Sequence, residues 1–464
     1  MASLTFFGAT QTVTGSRFLL ELPHHRLLID CGMFQGRKEN RLRNWQPFPV
    51  PPTEIDRVLL THAHIDHSGF LPRLVAQGFR GPVHCTHATQ ELCEILLRDS
   101  AHIQMEDARW ANKKGFTKHR PALPLYRVKD AEQALARFRP LNYGAGFYLN
   151  DDIRIKFKDA GHILGSAFVE IKTGKGKPSR KILFSGDLGR PGQPILRDPV
   201  QVFNVDYLVL ESTYGDRLHN DDHPKDNLAR VINQSVERGG VLLIPAFAVG
   251  RTQTLLFDIR ELEAKGVIPT LPVYVDSPMA VDATEVFERR KGDYDLESKV
   301  LELNGTHILQ PEQLHIVRKR KQSKAIDQIK SRAIIISASG MATGGRILHH
   351  LARRLPHPQN TVLFIGYQAE GTRGRALLEG RREVKIHGQL VPVSAQVESI
   401  SGYSGHADYN EILAWLIGFN RAPERTFLVH GEPEAAAALK KKIQDKLHWR
   451  VDIPKFGERF ELDL

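Results

Sequence analysis

Residues 61–70 read THAHIDHSGF, which packs three histidines and an aspartate into six positions. In an extended segment, residues two apart share a face, so His62 and His64 can grip one cation side by side. Asp66 and His67 follow where the chain should leave a strand for a helix, so they can address a second ion beside the first. These six residues begin a two-metal site without completing it. Three later apolar runs end in a potential ligand next to glycine: His162 in DAGHILGS, Asp187 in FSGDLGR and His430 in LVHGE. Glycine lets backbone turn tightly around an ion. A histidine or aspartate after a strand is commonly a turn residue, and it is the joint occurrence that argues for metal. The only cysteines, Cys31, Cys85 and Cys93, are too few and scattered for a disulfide framework or a cysteine-based zinc site. Histidine and carboxylate must therefore hold any metal.

The elements that would position these residues are legible as patterns. LTFFG, RFLLEL, HRLLID and RVLLTH are apolar, partly alternating runs of strand length. SGFLPRLVAQG reads as a helix stopping at Gly78, and ATQELCEILLRDSAHIQMED as a longer one. Residues 109–129 break the pattern with proline, aromatics and the cations Arg109, Lys113, Lys114, Lys118 and Arg120, either a solvated basic connection or a binding arm. Strands resume with DIRIKFKDAGH, AFVEIKT, KILFSGD and DYLVLESTYGD. From about 212 to 387 strand and helix alternate, as in VLLIPAFAVGRTQTLLFDIREL and AIIISASGMATGGRILHHLARRL, which predicts a parallel sheet with crossover helices. Strand-like LVPVSAQVESI, helix-like DYNEILAWLIGF and the run TFLVHGE close the chain.

At 464 residues the chain should form two domains or one domain with a large insertion. Its 41% hydrophobic and 25% charged residues are ordinary for a soluble globular protein, and no stretch approaches the length of an apolar membrane span. The N-terminus lacks the basic start, apolar core and small-residue cleavage site of a secretory signal, so the expected location is the cytoplasm. The formal charge of +11 is compatible with a polyanionic partner without requiring one.

The order Asp30, HAHIDH, His162, Asp187 resembles the metallo-beta-lactamase superfamily, whose αββα sandwich binds one or two metals, usually zinc. Glu211 in ESTYG, His406 in SGYSGHAD and His430 in LVHGE resemble its beta-CASP branch of RNA nucleases, which includes the endonuclease subunit of the eukaryotic cleavage and polyadenylation machinery and its bacterial and archaeal relatives. The resemblance implies an α/β fold in two parts. A metallo-beta-lactamase domain would span 1–211 and 388–464, and a beta-CASP domain with a parallel sheet would be inserted at 212–387. It implies two Zn²⁺, one held by His62, His64 and His162, the other by Asp66, His67 and His430, with Asp187 bridging. Asp30 would accept the distal N–H of a ligand imidazole, although its residue type suits a turn equally well. The partner implied is single-stranded RNA, with no membrane. A homodimer is left open by the bacterial-type relatives.

Hydrolysis of a phosphodiester needs an attacking hydroxide, stabilised charge on the non-bridging oxygens and a proton for the leaving 3′ oxygen. Two metals suit the first two needs. His406 is the candidate general acid, with Glu211 to orient its ring and favour its charged form. Asp66, Glu211 and His406 are thus the expected catalytic residues. A turn histidine before the helix DYNEILAWL is the competing reading of His406. In the family, a histidine at the LVHGE position marks RNA-processing members, so His430 implies RNA. Substrate contacts are expected from Ser404, from Arg346 after the glycine-rich SASGMATGGR, and from Arg373 in GTRGR; tight turns between strand and helix are the alternative for both loops. The other function classes are a thioesterase- or lactamase-like hydrolase, which would not need the insertion, Glu211 or His406, and a non-catalytic RNA-binding scaffold, which should have lost metal ligands.

Overall fold

A computed structural model of the chain describes residues 2–115, 119–174, 179–219, 223–366, 368 and 371–464. It divides into two compact units, Met1–Leu218 with His406–Leu464, and His219–Gly405.

The first unit is built on two seven-stranded sheets. One runs in the order Arg459–Leu462, Ala2–Phe6, Phe18–Leu22, His25–Ile29, Arg57–Leu59, Val83–Thr86, Phe138–Leu141. The other runs Val451–Asp452, Arg425–Val429, Tyr207–Glu211, Arg180–Phe184, Ala167–Thr173, Ile153–Asp159, Gly146–Tyr148. Alternation along each strand buries one face: in IRIKFKD, Ile153, Ile155 and Phe157 point into the core while Arg154, Lys156 and Lys158 are half-buried on the other side. Leu4, Phe6, Phe18, Leu20 and Ile29 of the first sheet share one core with Ile155, Phe157, Val169, Phe184 and Phe427 of the second. Part of the second sheet's outer face, at Leu183, Leu208, Leu210 and Leu428, is covered by Ile412, Leu413, Leu416, Leu439 and Ile443 of the helices Tyr409–Ile417 and Pro433–Leu447. The helix His87–Lys114 packs on the strands Val83–Thr86 and Phe138–Leu141 at one end of the first sheet and buries Leu92, Cys93, Leu96 and Leu97. The result is the αββα arrangement expected from the sequence.

Arg109, Lys113 and Lys114 lie within that helix, beyond the expected break at 109, because residues 109–114 contain neither proline nor glycine. It ends at Gly115, whose φ of +66° terminates it in the left-handed region. Arg120 follows in a non-helical segment, and Lys118 lies outside the described residues.

The second unit holds a six-stranded sheet in the order Gln313–Ile316, Pro272–Val275, Ala333–Ser337, Val241–Pro245, Thr361–Phe364, Gln396–Ser399, with every pairing parallel. Both faces are covered, which accounts for the unbroken apolar runs VLLIP and AIIIS. Leu242, Ile244, Ile334 and Ile336 face one cluster, and Val241, Leu243 and Ile335 face another. The units divide at 218 and 405 rather than at 212 and 387. The strand Gln396–Ser399 adds to this sheet beside Thr361–Phe364, and Gln389–Pro392 closes a hairpin with Glu383–Ile386. The sequence of 388–405 encodes strands but not which sheet receives them. Among the described residues, no helix is long and apolar enough to cross a membrane.

Candidate metal centre and its acid–base pair

Parallel pairing collects the candidate ligands. The strands Arg180–Phe184, Tyr207–Glu211 and Arg425–Val429 run parallel as neighbours, Glu211 standing opposite Val429. The residues just past their C-terminal ends, Asp187 and His430, therefore meet Glu211 on one edge of the sheet. In the other sheet, His25–Ile29 is parallel to Arg57–Leu59, which sets Asp30 beside Thr61. His64 is the extended residue before the single helical turn Ile65–Ser68, which carries Asp66 and His67. Gly186, at φ +54°, permits the close approach, since a Cβ there would stand 2.6 Å from that of Thr61.

Two groups of donors result, and Asp187 faces both. His62 Nε2 is 3.1 Å from His64 Nδ1, and His162 Nε2 is 3.3 Å from the same atom. Asp187 Oδ2 is 3.4 Å from both His62 Nε2 and His162 Nε2. Its other oxygen, Oδ1, is 3.2 Å from His67 Nε2 and 3.5 Å from His430 Nδ1. His430 Nε2 in turn lies 3.3 Å from Asp66 Oδ2.

These residues fit a metal. A tetrahedral ion with bonds of about 2.0–2.1 Å separates its ligand atoms by about 3.3 Å, close to the spacing within the first group. Asp187 Oδ1 is buried and receives no hydrogen bond, an unsatisfied lone pair that a cation would satisfy. Burial pushes His62 down to about 3 and His64 to about 4, and holds His162 well below the usual imidazole value. Neutral imidazole is the ligating form. Burial opposes ionisation of Asp187, yet His430, His67 and His62 hold its carboxyl well below the usual range. Asp66 is lowered in the same way, chiefly by His430 against burial.

Asp30 is fully buried and orients one imidazole. Its Oδ2 is 2.7 Å from His67 Nδ1 and accepts from Thr61 Oγ1 at 2.9 Å, while Oδ1 accepts from the Thr61 N–H at 2.8 Å. With Nδ1–H given to Asp30, it is Nε2 that His67 presents towards Asp187, and a cation there would have to displace any proton it carries. Burial lowers His67, but Asp187 and Asp30 outweigh it and raise the ring well above its ordinary value.

His406 stands beside the first group, its ring centroid 4.6 Å from that of His162. Its Nδ1 lies 3.1 and 3.2 Å from the two oxygens of Glu211. Glu211 is fully buried and is itself held by the Leu188 N–H at 2.7 Å and the Thr213 N–H at 3.3 Å. The ring is 21% exposed, so one side reaches solvent.

The expected substrate contacts lie in the second unit. Arg346 donates to Asp276 at 2.7 Å and to the carbonyls of Val317 and Arg318. Arg373 donates to the carbonyls of Lys385, Ala342 and Thr343. Ser404 is buried after the short turn Ser401–Tyr403. Two threonines escaped the sequence reading. Thr61 hydrogen-bonds Asp30 and has Oγ1 3.1 Å from His62 Nδ1; Thr213 Oγ1 is 3.1 Å from His430 Nδ1 and donates to the His430 carbonyl. Their places within the motifs THAHIDH and ESTYG were the available signal.

An αββα sandwich with histidine and carboxylate donors at its strand ends defines a metallo-hydrolase. Residues 13–234 match the metallo-beta-lactamase superfamily, 252–377 the Beta-Casp domain, and 390–454 the Zn-dependent metallo-hydrolase RNA specificity domain. Ribonuclease TTHA0252 of Thermus thermophilus is 38% identical over 456 residues, covering 97% of this chain and 98% of that one. Transcription termination factor FttA of Methanosarcina mazei is 31% identical, covering 96% of this chain and 69% of its own. A crystal structure of a protein of unknown function from Enterococcus faecalis superimposes with a TM-score of 0.55 at 12% identity, over 99% of this chain and 100% of that one, a likeness of fold. The chain belongs to the beta-CASP RNA nuclease family of the metallo-beta-lactamase superfamily.

Proposed function

We propose that the chain is a zinc-dependent ribonuclease that hydrolyses phosphodiester bonds of single-stranded RNA in the cytoplasm, as an endonuclease, a 5′-to-3′ exonuclease or both. His62, His64 and His162 would hold one ion, Asp66, His67 and His430 the other, with Asp187 between them. When bound, two zinc ions supply water activation near neutral pH and neutralise charge on the non-bridging phosphate oxygens.

The observation that carries the reading is the pair His406–Glu211 beside the donor groups. Glu211 accepts the Nδ1–H and fixes the ring, so that Nε2 can carry a proton to the leaving 3′ oxygen. The products are then a 5′ phosphate and a 3′ hydroxyl. Asp30 keeps His67 in one tautomer, and Thr213 braces His430. An RNA substrate is supported by the ribonuclease and termination-factor relatives and by the net charge of +11. The three buried free cysteines suit a reducing compartment. Ser404, Arg346 and Arg373 are assigned to the RNA backbone; Arg346 and Arg373 would act partly by rigidifying the loops they already brace. A homodimer, checked by solution mass, belongs to the same reading.

The test is metal analysis of the purified protein, followed by cleavage of end-labelled linear and circular single-stranded RNA and DNA of one sequence. Cleaved RNA circles with 5′-phosphate products support endonuclease action. Inertness towards every RNA in a fully metallated protein would sink the proposal.

A further inference from the structure

Not all of the outer face of the second sheet in the first unit lies under helices. Beyond the helix-covered part, a surface pocket of about 370 Å³ opens over the strands Ile153–Asp159, Ala167–Thr173 and Arg180–Phe184. Strand register places its cations in a row. Arg154 stands directly opposite Lys172, and Lys172 directly opposite Lys181. Like charges facing each other across strands destabilise a sheet, and here two such pairs adjoin. Lys156 and Lys158 continue the positive surface along the first of these strands.

The nearby carboxylates are already committed. Glu170, buried in the floor of the pocket, is 2.8 Å from Lys158 Nζ and 3.1 Å from Lys181 Nζ. Asp206 pairs with Arg421 at 2.6 Å. Lys156, Lys172 and Arg154 make no ion pair among the described residues. The row continues into an aromatic: Tyr148 stands opposite Arg154 on the next strand and is 61% exposed, with the Arg154 guanidinium 5.3 Å from its ring centre. One exposed ring followed by three cations crosses four neighbouring strands, a span of about 14 Å at strand spacing.

Cations in a concave row beside an exposed aromatic suit a single-stranded nucleic acid, whose phosphates meet the cations while a base stacks on the ring. An acidic polypeptide would use the charge but not the ring. The row is remote from the metal centre. Lys181 lies near the start of the strand Arg180–Phe184, about 10 Å from its far end at about 3.3 Å per residue, with Asp187 three residues further on, and it faces outward rather than along the strand ends.

We propose that Tyr148, Arg154, Lys156, Lys172 and Lys181 form a second RNA-binding surface, which holds a stretch of single-stranded RNA outside the catalytic centre and favours substrates long enough to reach both. This rests on the reading of the protein as an RNA-acting enzyme.

The test compares the metallated wild type with Lys156→Ala/Lys172→Ala and with Tyr148→Ala, measuring affinity for single-stranded RNA against salt and turnover of long and very short RNAs. Losing two phosphate contacts lowers the slope of log affinity against log salt by about 1.4, which is about 25-fold in affinity at 0.1 M salt relative to 1 M. Tyr148→Ala should weaken binding at least about fivefold without changing the slope. In both variants KM should rise for long RNA, while turnover of the short RNA stays at the wild-type rate. The double variant should melt close to wild type, since Lys172→Ala relieves two like-charge pairs while Lys156→Ala gives up a cation that stands opposite Glu170. Wild-type affinity and slope in the double variant overturn the proposal while leaving the nuclease reading intact. Binding of polyglutamate that disappears in that variant, with RNA affinity unchanged, overturns it in favour of an acidic protein partner. A wild type that binds RNA with the predicted slopes but cleaves none supports the surface and removes the nuclease reading; one that binds no RNA removes both.

Discussion

Replacing Asp30 by Asn exchanges one oxygen for an amide nitrogen of nearly the same size, at a position with no exposure. The carboxylate now accepts three hydrogen bonds, from the Thr61 N–H, the Thr61 hydroxyl and His67 Nδ1–H. An amide offers acceptors on one side only. The Thr61 N–H is fixed backbone, so the amide oxygen should turn to it and the NH₂ to His67. That forces His67 to surrender Nδ1–H and to carry its proton on Nε2, the atom 3.2 Å from Asp187 Oδ1. A protonated Nε2 cannot ligate. Loss of such an orienting partner typically costs 10–100-fold in metal affinity, about 1.4–2.7 kcal/mol. The loss should fall on the ion assigned to Asp66, His67 and His430, leaving the ion at His62, His64 and His162 close to its wild-type affinity. Zinc titration against a competing chelator should therefore show one unchanged and one weakened binding step, with turnover falling in parallel. Two wild-type steps in a folded Asp30→Asn protein would refute this account of how His67 is held.

His406→Ala should retain metal at wild-type stoichiometry and lose about 10²- to 10⁴-fold in turnover; unchanged cleavage of RNA removes the proton-donor role. Glu211→Gln should keep the ring near its place and cost less than His406→Ala, and a larger loss would show that Glu211 does more than orient it. Lys172→Ala relieves two like-charge cross-strand pairs and should stabilise the first unit by about 0.2–1 kcal/mol for each pair, read as a rise in melting temperature. In the second unit, buried Asp276 is held below the ordinary carboxylate value because, against burial, His350, Ser323 and Arg346 donate to it. A depressed folded value means its stabilisation is complete above about pH 4 and is lost as pH falls through the folded value. The stability gap between wild type and Asp276→Asn should therefore be constant near neutrality and close on acidification; a gap that widens towards acid contradicts the assignment.

Much of this molecule is written in local pattern. The alternation in IRIKFKD, the unbroken apolar runs VLLIP and AIIIS, and the ligand-type residues placed after strands all follow from period, burial and turn chemistry, which neighbouring residues encode among themselves. THAHIDH announces metal for the same reason, because its spacing works within a few residues. Other features depend on which strands become neighbours. That Asp187 presents one oxygen to each donor group, that Glu211 reaches His406 across 195 positions of chain, and that Asp30 selects the tautomer of His67 are consequences of parallel pairing between segments far apart in sequence. The same applies to residues 388–405, whose strand character was plain but whose partner, the strand Thr361–Phe364, no local signal names. The cationic row is the clearest case. Arg154, Lys172 and Lys181 are unremarked outward-facing positions of three separate strands, and only the register between those strands turns them into one surface, because side-chain direction is set locally while cross-strand adjacency is set by the fold.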